Sequence, residues 1–174
     1  ITPLIYTIRK KYTVLSVLLI EFGADISIPD CNGLSPLMLS IEYNLNLVCD
    51  ILFNKNVDIN WECFKGNTPL FYAISSRNID LIIYLIKKGA DIFHQNIYGH
   101  SSIFLASRNN LYSIINLLIN KGVDINIQDN LGITPFMDAV ISKNYDMIKF
   151  IFSKKPNIYA KCRKGLRALR SEEH

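Results

Sequence analysis

The chain repeats itself every 33 residues. A Thr or Ser recurs at Thr2, Ser35, Thr68, Ser101 and Thr134, each step 33 residues with no slippage. Two residues before each of the last four stand Gly33, Gly66, Gly99 and Gly132, and Gly165 continues the series. A second glycine register holds Gly23, Gly89 and Gly122, with Asn56 in the same place. Fixed self-similarity of this length means small units that cannot bury an apolar face alone and therefore stack on their neighbours.

The chemistry of each position suits such a unit. In "NGLSPLMLSI", Ser35 can cap a helix and Pro36 can follow in its first turn, where a missing amide costs nothing. Leu37, Met38 and Ile41 then form an apolar face at helical spacing. Ser40, Ala73, Ala106 and Ala139 share one small-residue position that lets neighbouring helices approach. The next segment, "DLIIYLIKKG", predicts a second helix with a wide apolar stripe of Leu81, Ile82, Leu85 and Ile86. Lys87 and Lys88 suit its last turn, and Gly89 can end it in the left-handed conformation. "ADIFHQNIYG" alternates poorly and reads as a projecting loop. Each unit is therefore helix, turn, helix, loop.

The motifs "GLSPLMLSI", "GNTPLFYAI", "GITPFMDAV" and "GADIS" resemble the ankyrin repeat, whose pattern is a Gly-ending turn, T-P-L-H-x-A, a second helix with V-x-x-L-L, and G-A-D-x-N. The resemblance covers essentially the whole chain. It implies an all-α solenoid of stacked antiparallel helix pairs with projecting hairpin-like loops. The copies run 1–29, 30–62, 63–95, 96–128 and 129–161, with a partial one at 162–174, in a single domain.

Several positions depart from that pattern. The family's His is replaced by Ile5, Met38, Phe71, Phe104 and Met137, so a polar link gives way to apolar packing. Ser102 stands where Pro is expected. Between the helices, Gly-His becomes Asn44-Leu45, Arg77-Asn78, Asn110-Leu111 and Lys143-Asn144. Asn tolerates the left-handed conformation, whereas Arg and Lys hold it at a cost. In the fifth copy the G-A-D register becomes Lys155, Pro156, Asn157. "GLRALRSEEH" suits a polar terminal cap or a truncation point. Val14, Val17 and Leu18 belong to a first pair without a polar cap, so a preceding repeat or capping helix is expected in a longer chain.

Charge is uneven. Lys143 to Arg170 hold nine basic residues and one acid, Asp146, while residues 1 to 142 hold ten basic and twelve acidic. Such a block can meet an anionic partner. The preferred reading is a solvated terminal face. Cys31, Cys49, Cys63 and Cys162 form no C-x-x-C pair, and no His lies near them at zinc spacing, which fits buried or incidental thiols in a reducing compartment. No apolar run approaches the roughly 20 residues that span a bilayer.

Nothing in the sequence signals catalysis. There is no P-loop pattern, no H-E-x-x-H and no nucleophile–base spacing. Asp25, Asp58, Asp91 and Asp124 recur in register and are read as loop-closing residues, not an acid array. His94 and His100 are read as exposed loop residues. No catalytic residue, metal or cofactor is expected.

The resemblance implies partner contact at loop tips and first helices on the concave side. Carried over to this sequence, it selects Leu34, Tyr43, Phe64, Lys65, Ile97, Tyr98, His100, Arg108, Asn109, Leu131, Ile133 and Ile141. Phe64, Ile97, Tyr98, Leu131 and Ile133 are expected to form an exposed apolar stripe, the kind of surface that marks interaction sites. Trp61, nearer the loop base, is expected to pack on neighbouring loops. The function expected is a non-catalytic module that binds a protein partner as a monomer in the cytoplasm, or in a host cell's cytoplasm if the source is a virus or intracellular microbe. Nucleic acid is not the favoured partner and membrane insertion is not expected. Two alternatives stand beside this: the basic segment Lys154 to Arg170 binding nucleic acid or an acidic protein, and repeats that only space a functional segment elsewhere.

Overall fold

The computed structural model describes residues 1–162. The partial copy beyond Cys162, and with it the cap reading of "GLRALRSEEH" and the basic run from Arg163 onward, lies outside the described residues. Among the described residues there are ten helices and no extended strand, an all-α repeat architecture. They fall in two compact units, Ile1–Asp91 and the described residues from Ile92 onward.

In the first unit three helix pairs follow one another: α1 (Pro3–Arg9) with α2 (Thr13–Glu21), α3 (Pro36–Glu42) with α4 (Asn46–Asn54), and α5 (Pro69–Ser75) with α6 (Ile79–Lys87). First helices pack on first helices, α1 on α3 and α3 on α5, and α2 packs on α4. The second unit holds α7 (Ser102–Arg108) with α8 (Tyr112–Asn120) and α9 (Pro135–Ile141) with α10 (Tyr145–Phe152), and α7 packs on α9.

The core of each unit is the pattern read from sequence. Ile5, Met38 and Phe71 in the first unit, and Phe104 and Met137 in the second, are buried where the family has His. Ser40, Ala73, Ala106 and Ala139 are buried between helices. On α2, Val14, Leu15 and Leu18 are exposed.

Helix starts follow two variants of one cap. Thr2, Ser35 and Thr134 accept from the amides of Ile5, Met38 and Met137 at 3.2, 3.3 and 3.2 Å. Thr68 and Ser101 make no cap bond, and their buried hydroxyls find no partner. In both of these repeats the third helical residue is Phe (Phe71, Phe104). Ser102 replaces Pro productively: its hydroxyl donates to the Ile92 carbonyl at 2.7 Å.

The corner between paired helices is left-handed in each of the five described pairs. Lys11, Asn44, Arg77, Asn110 and Lys143 have φ of 59°, 57°, 57°, 60° and 54°. Three of the five are Lys or Arg, residues that hold this conformation at roughly 1–2 kcal/mol. The stacked helices impose it regardless.

Loops are closed by side-chain acceptors. Asp25, Asp58 and Asp124 each take the amide two residues on, from Ser27, Asn60 and Asn126. A second series, Asp30, Asn96 and Asp129, each takes two amides: Asn32 and Leu34, Tyr98 and His100, Leu131 and Ile133. Consecutive loops are then tied by backbone: the Phe64 amide donates to Asn32 at 3.2 Å in the first unit, and the Asn130 amide to Tyr98 at 3.0 Å in the second. The Trp61 indole donates to the Gly33 carbonyl at 2.8 Å.

Gly99 is needed for that tie. Its φ is +78°, and a Cβ there would meet the Asn130 amide nitrogen at 2.5 Å. Gly122 in the same unit has φ +91° but open space around it. Gly122→Ala should therefore cost only backbone strain, about 1 kcal/mol. Gly99→Ala adds a clash with backbone and should cost roughly 3 kcal/mol. Urea unfolding of the two variants checks this; equal losses would refute the close-approach argument.

Candidate functional site

The surface named from sequence lies on the loops and on the C-terminal ends of the first helices. In three of the four described turns an acceptor of the series Asp30, Asn96, Asp129 decides which side chains point outward; the turn of Phe64 has Cys63 in that place. These acceptors bind the amides two and four residues on; of the three residues between, the first two project as the tip, the glycine is buried, and the fourth residue is drawn under the loop.

In the first unit Phe64 is 73% exposed and Lys65 is exposed. Leu34 and Tyr43 are half-buried. Lys11 sits over the Tyr43 ring, 5.5 Å from its centroid. The Asp30 side chain is fully buried and pairs with Arg9. Burial opposes the Asp30 charge, yet bonds from Arg9 and from the Leu34 and Asn32 amides outweigh it and hold the carboxyl below its ordinary range.

In the second unit Ile97, Tyr98 and Leu131 are 57%, 49% and 54% exposed, and Ile141 at the end of α9 is 61% exposed. Ile133 and His100 differ from the expectation of exposure. Both are half-buried, because both occupy the fourth position that the Asp129 and Asn96 side chains draw inward. His100 stacks on Phe104, with centroids 4.8 Å apart and planes 11° from parallel, and Tyr98 lies 5.9 Å from it. Its Nε2 stands 3.8 Å from the Asp129 carboxylate. Burial lowers the His100 pKa, the Arg108 charge lowers it further, and Asp129 and Asp138 oppose both.

Arg108 lies over the Phe104 ring, 4.8 Å from its centroid. Its Nε and one Nη donate to the two oxygens of Asp138, each at 2.8 Å, a bidentate pair that raises its pKa. Asn109 is half-buried and donates back to the Leu105 carbonyl. Tyr98, His100, Phe104, Arg108 and Asp138 thus form one connected cluster beside the exposed tips.

Sequence reasoning missed Asp138 and the Asp30–Asn96–Asp129 series. The series keeps the 33-residue register and was legible in principle, although Cys63 interrupts it. Asp138 shares its register with Tyr6, Leu39, Tyr72 and Leu105, so the period carries no signal for it.

Among the described residues no three His, Cys, Asp or Glu side chains gather as metal ligands would. Cys49 is buried, and burial, aided by the Asp50 charge, pushes its thiol up to about 12. Burial likewise raises the Tyr72 hydroxyl, with Cys63 beside it at 3.9 Å. Among the described residues no helix is long and apolar enough to cross a membrane.

A family model described as ankyrin repeats (3 copies) matches residues 4–96 and again residues 93–162. No curated protein matches the chain.

Two outcomes follow from the ionisable groups. Asp30→Ala should cost about 3 kcal/mol, since it strands Arg9 and two amides. Asp30→Asn should cost roughly half that, because an amide oxygen does the same capping at Asn96; equal losses in urea melts would refute the double role. The His100 pKa is lower in the folded chain than its ordinary value of about 6.5, so the unfolded chain binds the proton first as pH falls. The stability given by the neutral ring is complete above about pH 6.5 and is lost as pH drops from there towards the folded value. His100→Gln should flatten that slope in melts between about pH 7.5 and about pH 5.5; an unchanged slope would overturn the assignment.

Proposed function

The chain belongs to the ankyrin-repeat family, and from that premise we propose that it is a non-catalytic module that holds a partner protein on its loop tips and first helices. Ankyrin repeats are in general protein–protein interaction modules without catalytic activity. The observation that carries the reading is the exposure of Ile97, Tyr98 and Leu131 on loops whose backbone polar groups are already bonded. The fold asks nothing apolar of those positions. Apolar and aromatic groups displayed in this way suit the desolvated centre of an interface.

Roles divide by burial. Phe64, Ile97, Tyr98, Leu131 and Ile141 are the anchors, and Lys65 is a rim charge. Arg108, fixed by Asp138 and stacked on Phe104, offers a planar cation whose orientation is set before contact. Leu34, Tyr43, His100, Asn109 and Ile133 sit lower and support the anchors. The chain acts on its partner as a monomer, in the cytoplasm.

The test uses the whole chain as bait in lysate, identifies the captured protein, and measures its affinity for the chain and for Phe64→Ala, Tyr98→Ala and Leu131→Ala. Each truncation at an anchor should cost on the order of 2 kcal/mol, with melting temperatures unchanged. Added salt should matter little, in contrast to the steep dependence of phosphate-driven binding. Affinity that survives all three truncations together would sink the proposal.

A further inference from the structure

Away from the loops, the second helices α4 and α6 of the first unit enclose an open groove of about 300 Å³. Cys49 and Leu81 form part of its lining. Phe53 and Tyr84 line it side by side and touch, ring centroids 4.8 Å apart and planes tilted by 48°. Asp50 and Asp80 line it as well, and both are exposed. Among the described residues neither carboxylate is paired with a Lys or Arg. The Tyr84 ring already accepts a cation from its own helix: Lys88 Nζ stands 5.6 Å from the ring centroid.

The repeat does not require these four side chains. One copy earlier, the positions of Asp50, Phe53, Asp80 and Tyr84 hold Val17, Ile20, Leu47 and Ile51. Two copies after the first set they hold Asn116, Ile119, Asp146 and Phe150. Helix pairs of this kind therefore form with aliphatic residues throughout, or with a single acid. Asp80 also suits the first turn of α6, but two carboxylates without a Lys or Arg partner beside two rings occur together at this register only in α4 and α6 among the copies compared.

We propose that this groove receives an arginine side chain from a basic segment of a partner protein. A guanidinium is flat, delocalised and weakly hydrated, so it can lie against an aromatic face while its edge donates to carboxylates. The groove offers both surfaces at once. A lysine ammonium has the charge but neither the plane nor the fork, and it is more strongly hydrated. This site is separate from the loop tips and stands whether or not those tips bind.

The probe is the peptide acetyl-Gly-Arg-Gly-amide, titrated into the full chain and followed by amide NMR shifts. Versions with lysine and with citrulline, the uncharged near-isostere of arginine, serve as controls. Saturable shifts should concentrate at Cys49, Asp50, Phe53, Leu81 and Tyr84. Asp50→Asn combined with Asp80→Asn should weaken the arginine peptide roughly tenfold, with the rest of the spectrum unmoved. Tyr84→Leu, a residue the fold already uses at Leu117, should weaken it as well. The lysine peptide should bind less tightly and the citrulline peptide should leave the spectrum unchanged. Equal shifts from citrulline, equal affinity for lysine, unchanged affinity in the double variant, or no saturable shift at these residues would each overturn the proposal.

Discussion

Seven residues make about two turns of helix, and a helix that short does not persist in water. Among the described residues, all five first helices are seven residues long. Their existence depends on lateral burial: α1 on α3 on α5 in one unit, α7 on α9 in the other. That dependence explains the rigid spacing. An extra residue in a repeat would rotate an apolar face away from its neighbour, and neither helix could stand without the contact. The same dependence holds Lys11 and Arg77 in the first unit, and Lys143 in the second, in a backbone conformation they disfavour.

Most of the architecture could be read from the sequence because short-range chemistry and periodicity agree. The Thr/Ser-Pro starts, the small residue at Ala73 and Ala106, and the glycine that ends α6 each have one local explanation. What periodicity could not supply was side-chain geometry within a repeat. Ser101 occupies a capping position yet makes no cap bond, and its hydroxyl is left without a partner. His100 looked like a loop residue open to water, but the Asn96 side chain draws it onto Phe104. Asp138 is set by contact with Arg108, 30 residues away, and no rule of sequence spacing points to it.

The loops separate what holds the fold from what faces outward. Amides are satisfied by Asp30, Asn96 and Asp129, and cohesion between loops comes from main-chain bonds and from groups such as the Trp61 indole. Asn130 adds a side-chain bond to the Ile97 carbonyl, but the side chains of Ile97, Tyr98 and Leu131 take no part in these bonds. Their identity can drift while the fold persists, and apolar side chains there reflect something other than folding.

The bond from the Asn130 amide to the Tyr98 carbonyl has a consequence for selectivity. It makes the separation between one tip and the next a property of peptide geometry, insensitive to which side chains are mounted there. The tips work as a ruler with fixed graduations. A ligand whose own anchors match that pitch engages both without having to freeze the receptor's loops, because their freedom was surrendered on folding. One with a different pitch reaches a single mark at a time and is released.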